Sequence, residues 1–359
     1  MQRTDSATDH APRYAANALL ECARALLLRA GMAEPLARDV AEVLLEGDLL
    51  GHDTHGLALL APYLGEIERG AMRREGSHVV VAERAAVATW DGQRLPGQWL
   101  TRRAVDAAIE RARTYGTATV VVRRSHHIGC LAAYLPRATE QGLVLLLACS
   151  DPNAASVAPF GGTRAFVTPN PLACGFPTAG DPVLIDISAS VTTNGMSARL
   201  HRQGRRFAHP WLIDANGDAT DDPATLFADP PGTILPLGGL EAGHKGYGLA
   251  LTIEALTAGL AGFGRADPKE GWGATVFVQA LDPAAFGGAN EFVRQAEWLR
   301  EACRSNPPRP GVDRVRLPGE RGLARRREQL AHGVALNAEI LAALAPWADR
   351  FGVALPAAL

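Results

Sequence analysis

The chain has 359 residues, 47% of them hydrophobic and 21% charged, with a formal charge of −2. That length calls for two or three subdomains sharing an interface, and the composition is that of an ordinary globular protein. Basic and acidic residues are interspersed, which leaves no footprint for nucleic acid, and Arg325-Arg-Arg327 reads as a solvated helix face beside Glu320, Glu328 and Leu330.

The five cysteines (Cys22, Cys130, Cys149, Cys174, Cys303) are odd in number and contain no C-x-x-C pair. They argue against a disulfide framework or structural zinc and for a reducing compartment. Residues 1–12 lack an apolar signal core, and no apolar run approaches ~18 uninterrupted residues. A cytoplasmic protein without a membrane span is expected.

Residues 13–70 read as helices. Apolar spacing over 15–30 stops at Gly31, 35–50 repeats it with Pro35 at the start, and 55–68 forms a third helix closed by Gly70. Val79-Val-Val81 and 85–90 look extended, with Asp91-Gly92 as a turn. A helix over 100–115 ends at Gly116. Then come a strand over 117–122, a polar loop over 125–129, a helix over 130–141 and a buried strand over 143–149. The stretch 151–240 is rich in Gly, Pro and Asp and reads as sheet and loop, with a short strand at 183–187. A helix at 247–260, a strand at 275–281 and a helix at 291–304 follow. After a Pro-rich break at 305–311, residues 323–345 are mostly helical. The expected class is α+β, a central sheet with helical ends, divided at 1–76, 77–310 and 311–359.

No dinucleotide fingerprint is complete: Gly246-Tyr-Gly248, Gly262-Phe-Gly264 and Gly271-Trp-Gly273 each lack the third glycine. Residues 238–245 approach a phosphate loop, but Lys245 is one place late and Gly246 stands where Ser or Thr must hold magnesium. The glycines still allow close backbone approach to an anion, with Lys245 at the start of the following helix.

His52-Asp-Thr-His55 supports three readings. It is helix-cap chemistry, or two metal ligands completed by His126 or His127, or an acid/base pair in which a hydroxyl orients a histidine. Ser125-His-His-Ile-Gly129 adds a second polar histidine pair at the mouth of a strand, where binding groups favour loops.

Six segments in one order carry a resemblance. G-H-D-T-H-G at 51–56, S-H-H-I-G at 125–129, A-P-F-G-G at 158–162 with Asn170-Pro171, D-I-S-A-S at 186–190, the G-G…G-H-K-G-Y-G run to Gly248 and R-L-P-G-E at 316–320 resemble the malate/L-lactate dehydrogenase-like family. Its relatives include ureidoglycolate, sulfolactate and diketogulonate dehydrogenases and cyclic imino acid reductases. The resemblance, spanning about residues 13–352, implies an NAD- or NADP-binding sheet that is not a Rossmann fold, in a homodimer. It implies no metal. By position it makes His55 the proton donor, Thr54 its relay, His127 a second histidine beside the reacting carbon and Tyr63 a substrate contact on the same helix as His55. It assigns the dinucleotide to His127, Ile128, Gly129, Cys130 and Leu131, to Asp151, to Asp186, Ile187 and Ser188, to His244 and Lys245, and to Pro318, Gly319 and Glu320.

Two positions depart from the family pattern. Leu59 stands where an arginine commonly clamps a substrate carboxylate, and Met196 where Lys or Asp is usual. Either Arg164 or Arg199 compensates and a 2-oxo acid is used, or the substrate is a ketone, imine or intermediate lacking a free carboxylate. A scaffold that has lost redox activity is the third possibility.

Overall fold

The computed structural model describes residues 12–359, so the polar N-terminal stretch lies almost wholly outside the described residues. A seven-stranded sheet organises the rest. In spatial order its strands are Val79–Arg84, Val87–Asp91, Thr117–Ser125, Ala274–Leu281, Val144–Ser150, Pro171–Phe176 and Val183–Ser188. Of the six ladders only that between Val87–Asp91 and Thr117–Ser125 is parallel. This is a mixed α+β sheet, as expected.

The central strands are buried on both faces, and their alternation divides two cores. Ala118, Val120, Val122, Val276 and Val278 face a large core shared with the helices Ala16–Arg29, Glu34–Leu50, Leu60–Glu68 and Gly97–Tyr115. Val121, Ala148 and Phe277 point the other way, into a core completed by Val157, Val167, Ile234 and Ile253. The excursion between residues 151 and 260 covers that second face, with a small sheet of Leu212–Ile213, Ala219–Thr220 and Thr233–Ile234.

Three C-terminal contacts bear on the site. Helix Glu320–His332 lies against Glu34–Leu50, where Gln329 Nε2 donates to the carbonyls of Asp48 (2.9 Å) and Leu49 (3.0 Å) and Arg326 pairs with Glu46. These bonds satisfy carbonyls that a helix end leaves open. Helix Ala338–Phe351 packs on Ala16–Arg29 and Leu60–Glu68, and Arg13–Tyr14 pairs with Val334–Ala335. The Arg325–Arg327 face is therefore partly a packing face: Arg325 lies against Gly51 and Arg327 bonds Asp181.

Several elements differ from the sequence reading. His55 precedes the helix: Leu57–Leu59 is a 3₁₀ turn and the α-helix is Leu60–Glu68. The helix expected at 130–141 is two short pieces, Leu131–Tyr134 and Pro136–Thr139, because Pro136 cannot continue the ladder of the first. The glycine-rich 238–246 stretch is helical: Gly239–Glu254 starts eight residues early and passes into a π-turn at Ala255–Gly259. Helix Asn194–Arg202, capped by Thr193, and strand Pro171–Phe176 lay hidden in the Gly/Pro-rich region. Gly333 breaks the C-terminal helical stretch. Among the described residues no helix is long and apolar enough to cross a membrane, and all five cysteines are free.

Candidate active site

The turn carrying His55 is built by the end of helix Glu34–Leu50. Gly51 adopts a left-handed φ of +87° and stops the helix, with its N–H bonded to Asp48 O and that of His52 to Gly47 O. The His55 N–H then returns to His52 O at 2.8 Å, closing a tight turn. Close approach on its far side requires glycine: a side chain at Gly56 would overlap the Asp48 carboxyl group. Asp48 Oδ2 accepts the Leu57 N–H at 2.7 Å, so the turn is tied at both ends to one helical turn.

Within this turn Thr54 Oγ1 and His55 Nδ1 are 2.9 Å apart. Burial lowers the His55 pKa below its usual value, opposed by Asp186 and Asp53 and reinforced by His52. An imidazole so placed is neutral at pH 7, with Nε2 free of the Thr54 contact. In the tautomer whose Nδ1–H donates to Thr54, the ring can take a proton at Nε2, or give one when protonated.

His127 faces it, ring centroids 5.9 Å apart. Strand Thr117–Ser125 delivers His127 through the 125–129 loop. Its Nδ1 lies 2.7 Å from Tyr63 Oη, which also accepts from Gln98 Nε2 at 2.9 Å. Burial holds His127 well below the ordinary histidine pKa, with His55 and His126 adding to the effect. Trp272 lies tilted against His127 with centroids 4.8 Å apart and also touches Tyr63 and His126.

The second histidine of the pair points elsewhere. His126 is fully buried and its Nε2 donates to Glu66 Oε2 at 3.2 Å, with burial pushing it down to about 4. Neither His126 nor His127 joins His52 and His55 as metal ligands. His52 instead shares a neighbourhood with Cys130 Sγ and Asp186, donor atoms within 4.8 Å of one another. Within that cluster Asp186 Oδ2 accepts the Ala132 N–H at 2.9 Å and lies 3.8 Å from the Cys130 thiol.

Helix Asn194–Arg202 forms another wall. Gly195 lies against Thr54 and His55, and Met196 is half-buried against the second core. One turn on, Arg199 Nη1 and Nη2 donate to Asp53 Oδ1 and Oδ2 at 3.0 and 2.8 Å. Leu59, likewise half-buried, packs on the main core. Arg164 is exposed on its loop.

The remaining assigned residues divide into near and far. Gly129, at φ +75°, lies close to His55 O, and Ile128, Cys130 and Leu131 follow in the buried backbone. Asp151 accepts N–H groups from Asn153 (2.9 Å) and Gly273 (3.4 Å), beside Trp272. Ile187 is exposed on the outermost strand and Ser188 Oγ donates to Ser190 O. His244 and Lys245 are exposed in the second turn of their helix, His244 against Phe160. The Lys245 position at a helix start is thereby corrected, since the helix begins at Gly239. Pro318 and Gly319 pack on Leu184, and Glu320 accepts the Leu317 N–H and pairs with Arg304. Among the described residues no hydrogen bond or ion pair joins 244–245 or 318–320 to the His55 group.

Comparison with known proteins decides the family. Residues 14–345 match the sequence model described as malate/L-lactate dehydrogenase. The chain belongs to that family. An L-lactate dehydrogenase of Cupriavidus necator is 34% identical over 345 residues, 94% of this chain and 97% of that protein. The crystal structure of malate dehydrogenase from Entamoeba histolytica superposes with a TM-score of 0.91 at 25% identity, covering 97% of this chain and all (100%) of that one. A delta1-piperideine-2-carboxylate reductase structure from Pseudomonas syringae pvar. tomato gives 0.81 at 27%, covering 93% and 99%. The family comprises NAD(P)-dependent hydroxy acid dehydrogenases and imino acid reductases, and this member is an oxidoreductase acting on CH–OH or CH–NH groups.

Sequence reasoning missed Gln98, Trp272, Glu66 and Asp48. Gly271-Trp-Gly273 was visible as a failed fingerprint; its signal was the tryptophan between two glycines.

Proposed function

We propose that the chain interconverts a carbonyl or imine with the corresponding alcohol or amine, with His55 as the proton-transferring group and a nicotinamide nucleotide as redox partner. The observation that carries this reading is the Thr54–His55 pair facing His127 across 5.9 Å. The donor set suits such a nucleotide: half-buried His127 has no protein partner at Nε2 among the described residues, Gly129 brings bare backbone beside His55, and Ile187 presents an exposed apolar side chain on the outermost strand. Residues 127–131, Asp151 and 186–188 would hold the nicotinamide half, and His244, Lys245 and Pro318–Glu320 the more distant parts, on a sheet that is not a Rossmann fold. Hydride transfer is the chemistry that the nucleotide would supply when bound. Everything else falls to the chain: Thr54 orients His55, His55 Nε2 delivers or receives the proton, and Trp272 and helix Asn194–Arg202 wall off water. In this reading the described part of 1–76, together with 311–359, frames the site around the sheet-bearing 77–310, and the enzyme is a cytoplasmic homodimer.

A second observation narrows the substrate. The only cation bonded to the His52–His55 turn among the described residues is Arg199, and both arms of its fork are taken by Asp53. Leu59 cannot offset the desolvation of a carboxylate. The substrate is therefore read as a ketone, imine or intermediate without a free carboxylate at that point. Oxidation of NADH and NADPH against matched 2-oxo acids, esters, amides and cyclic imines tests both statements. Turnover best with the neutral members supports them. Free acids clearly best removes the second, and no turnover with any member removes the first.

A further inference from the structure

Gln98, Tyr63 and His127 form a hydrogen-bond chain that the reading above leaves without a purpose. Tyr63 and Gln98 are wholly buried, and Gln98 reaches the phenol because Gly97, at the start of its helix, lets the backbone abut the carbonyls of His126 and His127. We infer that this chain locks His127 as the neutral tautomer with its proton on Nε2, making it a fixed hydrogen-bond donor to the substrate heteroatom while His55 alone transfers the proton. The role in turnover rests on the function proposed above; the tautomer is a property of the free protein.

The polarity of the chain follows from one group that cannot be reversed. The Gly129 backbone N–H points at His127 Nδ1 at 3.4 Å, and a backbone amide can only donate. A hydrogen on Nδ1 would face it donor against donor. Nδ1 is therefore an acceptor, the Tyr63 hydroxyl at 2.7 Å donates to it, and the phenol oxygen accepts from Gln98 Nε2 at 2.9 Å. Turning the Gln98 amide round would reverse the first two bonds but leave the Gly129 clash. The ring's environment agrees. His55 faces it, Glu66 is engaged by His126 and Arg69, and Trp272 covers one side, so no carboxylate is positioned to stabilise an imidazolium. His127 thus begins and ends each turnover with the same proton. Gln98 and Tyr63 are positioning residues.

Nitrogen NMR of the full chain labelled with ¹⁵N-histidine tests this, with His127 assigned by its disappearance in His127→Gln. The expected spectrum has a protonated Nε2 and an unprotonated Nδ1, both stationary between about pH 5.5 and 8.5. In Tyr63→Phe the two signals move toward each other as the tautomers mix. The same variant loses about tenfold in kcat with KM little changed, as an orientation defect would. A proton on Nδ1, or a His127 titration near the ordinary histidine value, overturns the inference. The wild-type spectrum decides it even if Tyr63→Phe does not fold. Should the spectrum hold while His55→Ala keeps full turnover, the functional reading fails and the tautomer stands.

Discussion

Arg199 closes on Asp53 with both arms of its guanidinium, one residue away from Thr54. The pair joins the His55 turn to helix Asn194–Arg202 and leaves Arg199 without a free fork. Its side chains are only partly buried, so it contributes on the order of 1 kcal/mol or less to stability. In the proposed reading its larger effect is on choice of substrate.

Two substitutions test that choice. Asp53→Asn releases the fork and is expected to raise kcat/KM for 2-oxo acids over their esters about tenfold. Leu59→Arg, which places a guanidinium four residues after His55, acts in the same direction. The readout is the acid-to-ester ratio. An unchanged ratio in both variants contradicts the substrate reading.

The depressed His55 pKa fixes the sign of the pH profile. Reduction needs the protonated imidazole, so its kcat/KM rises as pH falls and levels only below the usual histidine range near 6.5. Oxidation needs the neutral ring and is already on its plateau at pH 7. Rate profiles in both directions check this, and a reduction rate that climbs with pH would count against His55.

Asp48 makes a stability prediction. Burial pushes its carboxyl group up to about 8, helped by Asp53 and opposed by the Leu57 N–H and Arg325. The folded chain then holds a proton that the unfolded chain releases above its ordinary value near 4. Stability falls as pH rises from about 4 to 8, by up to about 1.4 kcal/mol per pH unit. Asp48→Asn keeps an acceptor for the Leu57 N–H and removes the slope, so melting temperatures measured across that window should flatten.

Gly97→Ala is expected to displace the loop bearing His127. A Cβ there overlaps the carbonyl oxygens of His126 and His127, and relief of such overpacking costs about 1–3 kcal/mol. The melting temperature drops and turnover falls at least about tenfold, because Gln98 and His127 move together. A variant with wild-type activity and stability would show that this contact is not tight.

The sequence made some of this legible and hid the rest for identifiable reasons. Val120-Val-Val122 and the apolar run before Ser150 are dense in β-branched or aliphatic residues, so the central strands stood out. His55, Thr54 and His127 announced themselves because histidine clusters carry chemistry that few packing roles need. The first two turns of helix Gly239–Glu254 did not, since the helix's four glycines lower local helix propensity there and only packing against Leu237 and Phe160 sets them. Arg199 was named as a possible clamp, but its partner Asp53 lies 146 residues away in sequence. Gln98 and Trp272 were invisible for the same reason: each meets Tyr63 or His127 only after the sheet brings three segments together.

The most direct measurement is cofactor binding and turnover compared in the same preparations of wild type and His55→Ala. Calorimetry with reduced nicotinamide nucleotide should give affinities that agree within about threefold, because His55 is assigned to proton transfer. Turnover of the best carbonyl or imine should fall by about 10² or more in the variant. Equal turnover in the two proteins would contradict His55 as the proton-transferring group.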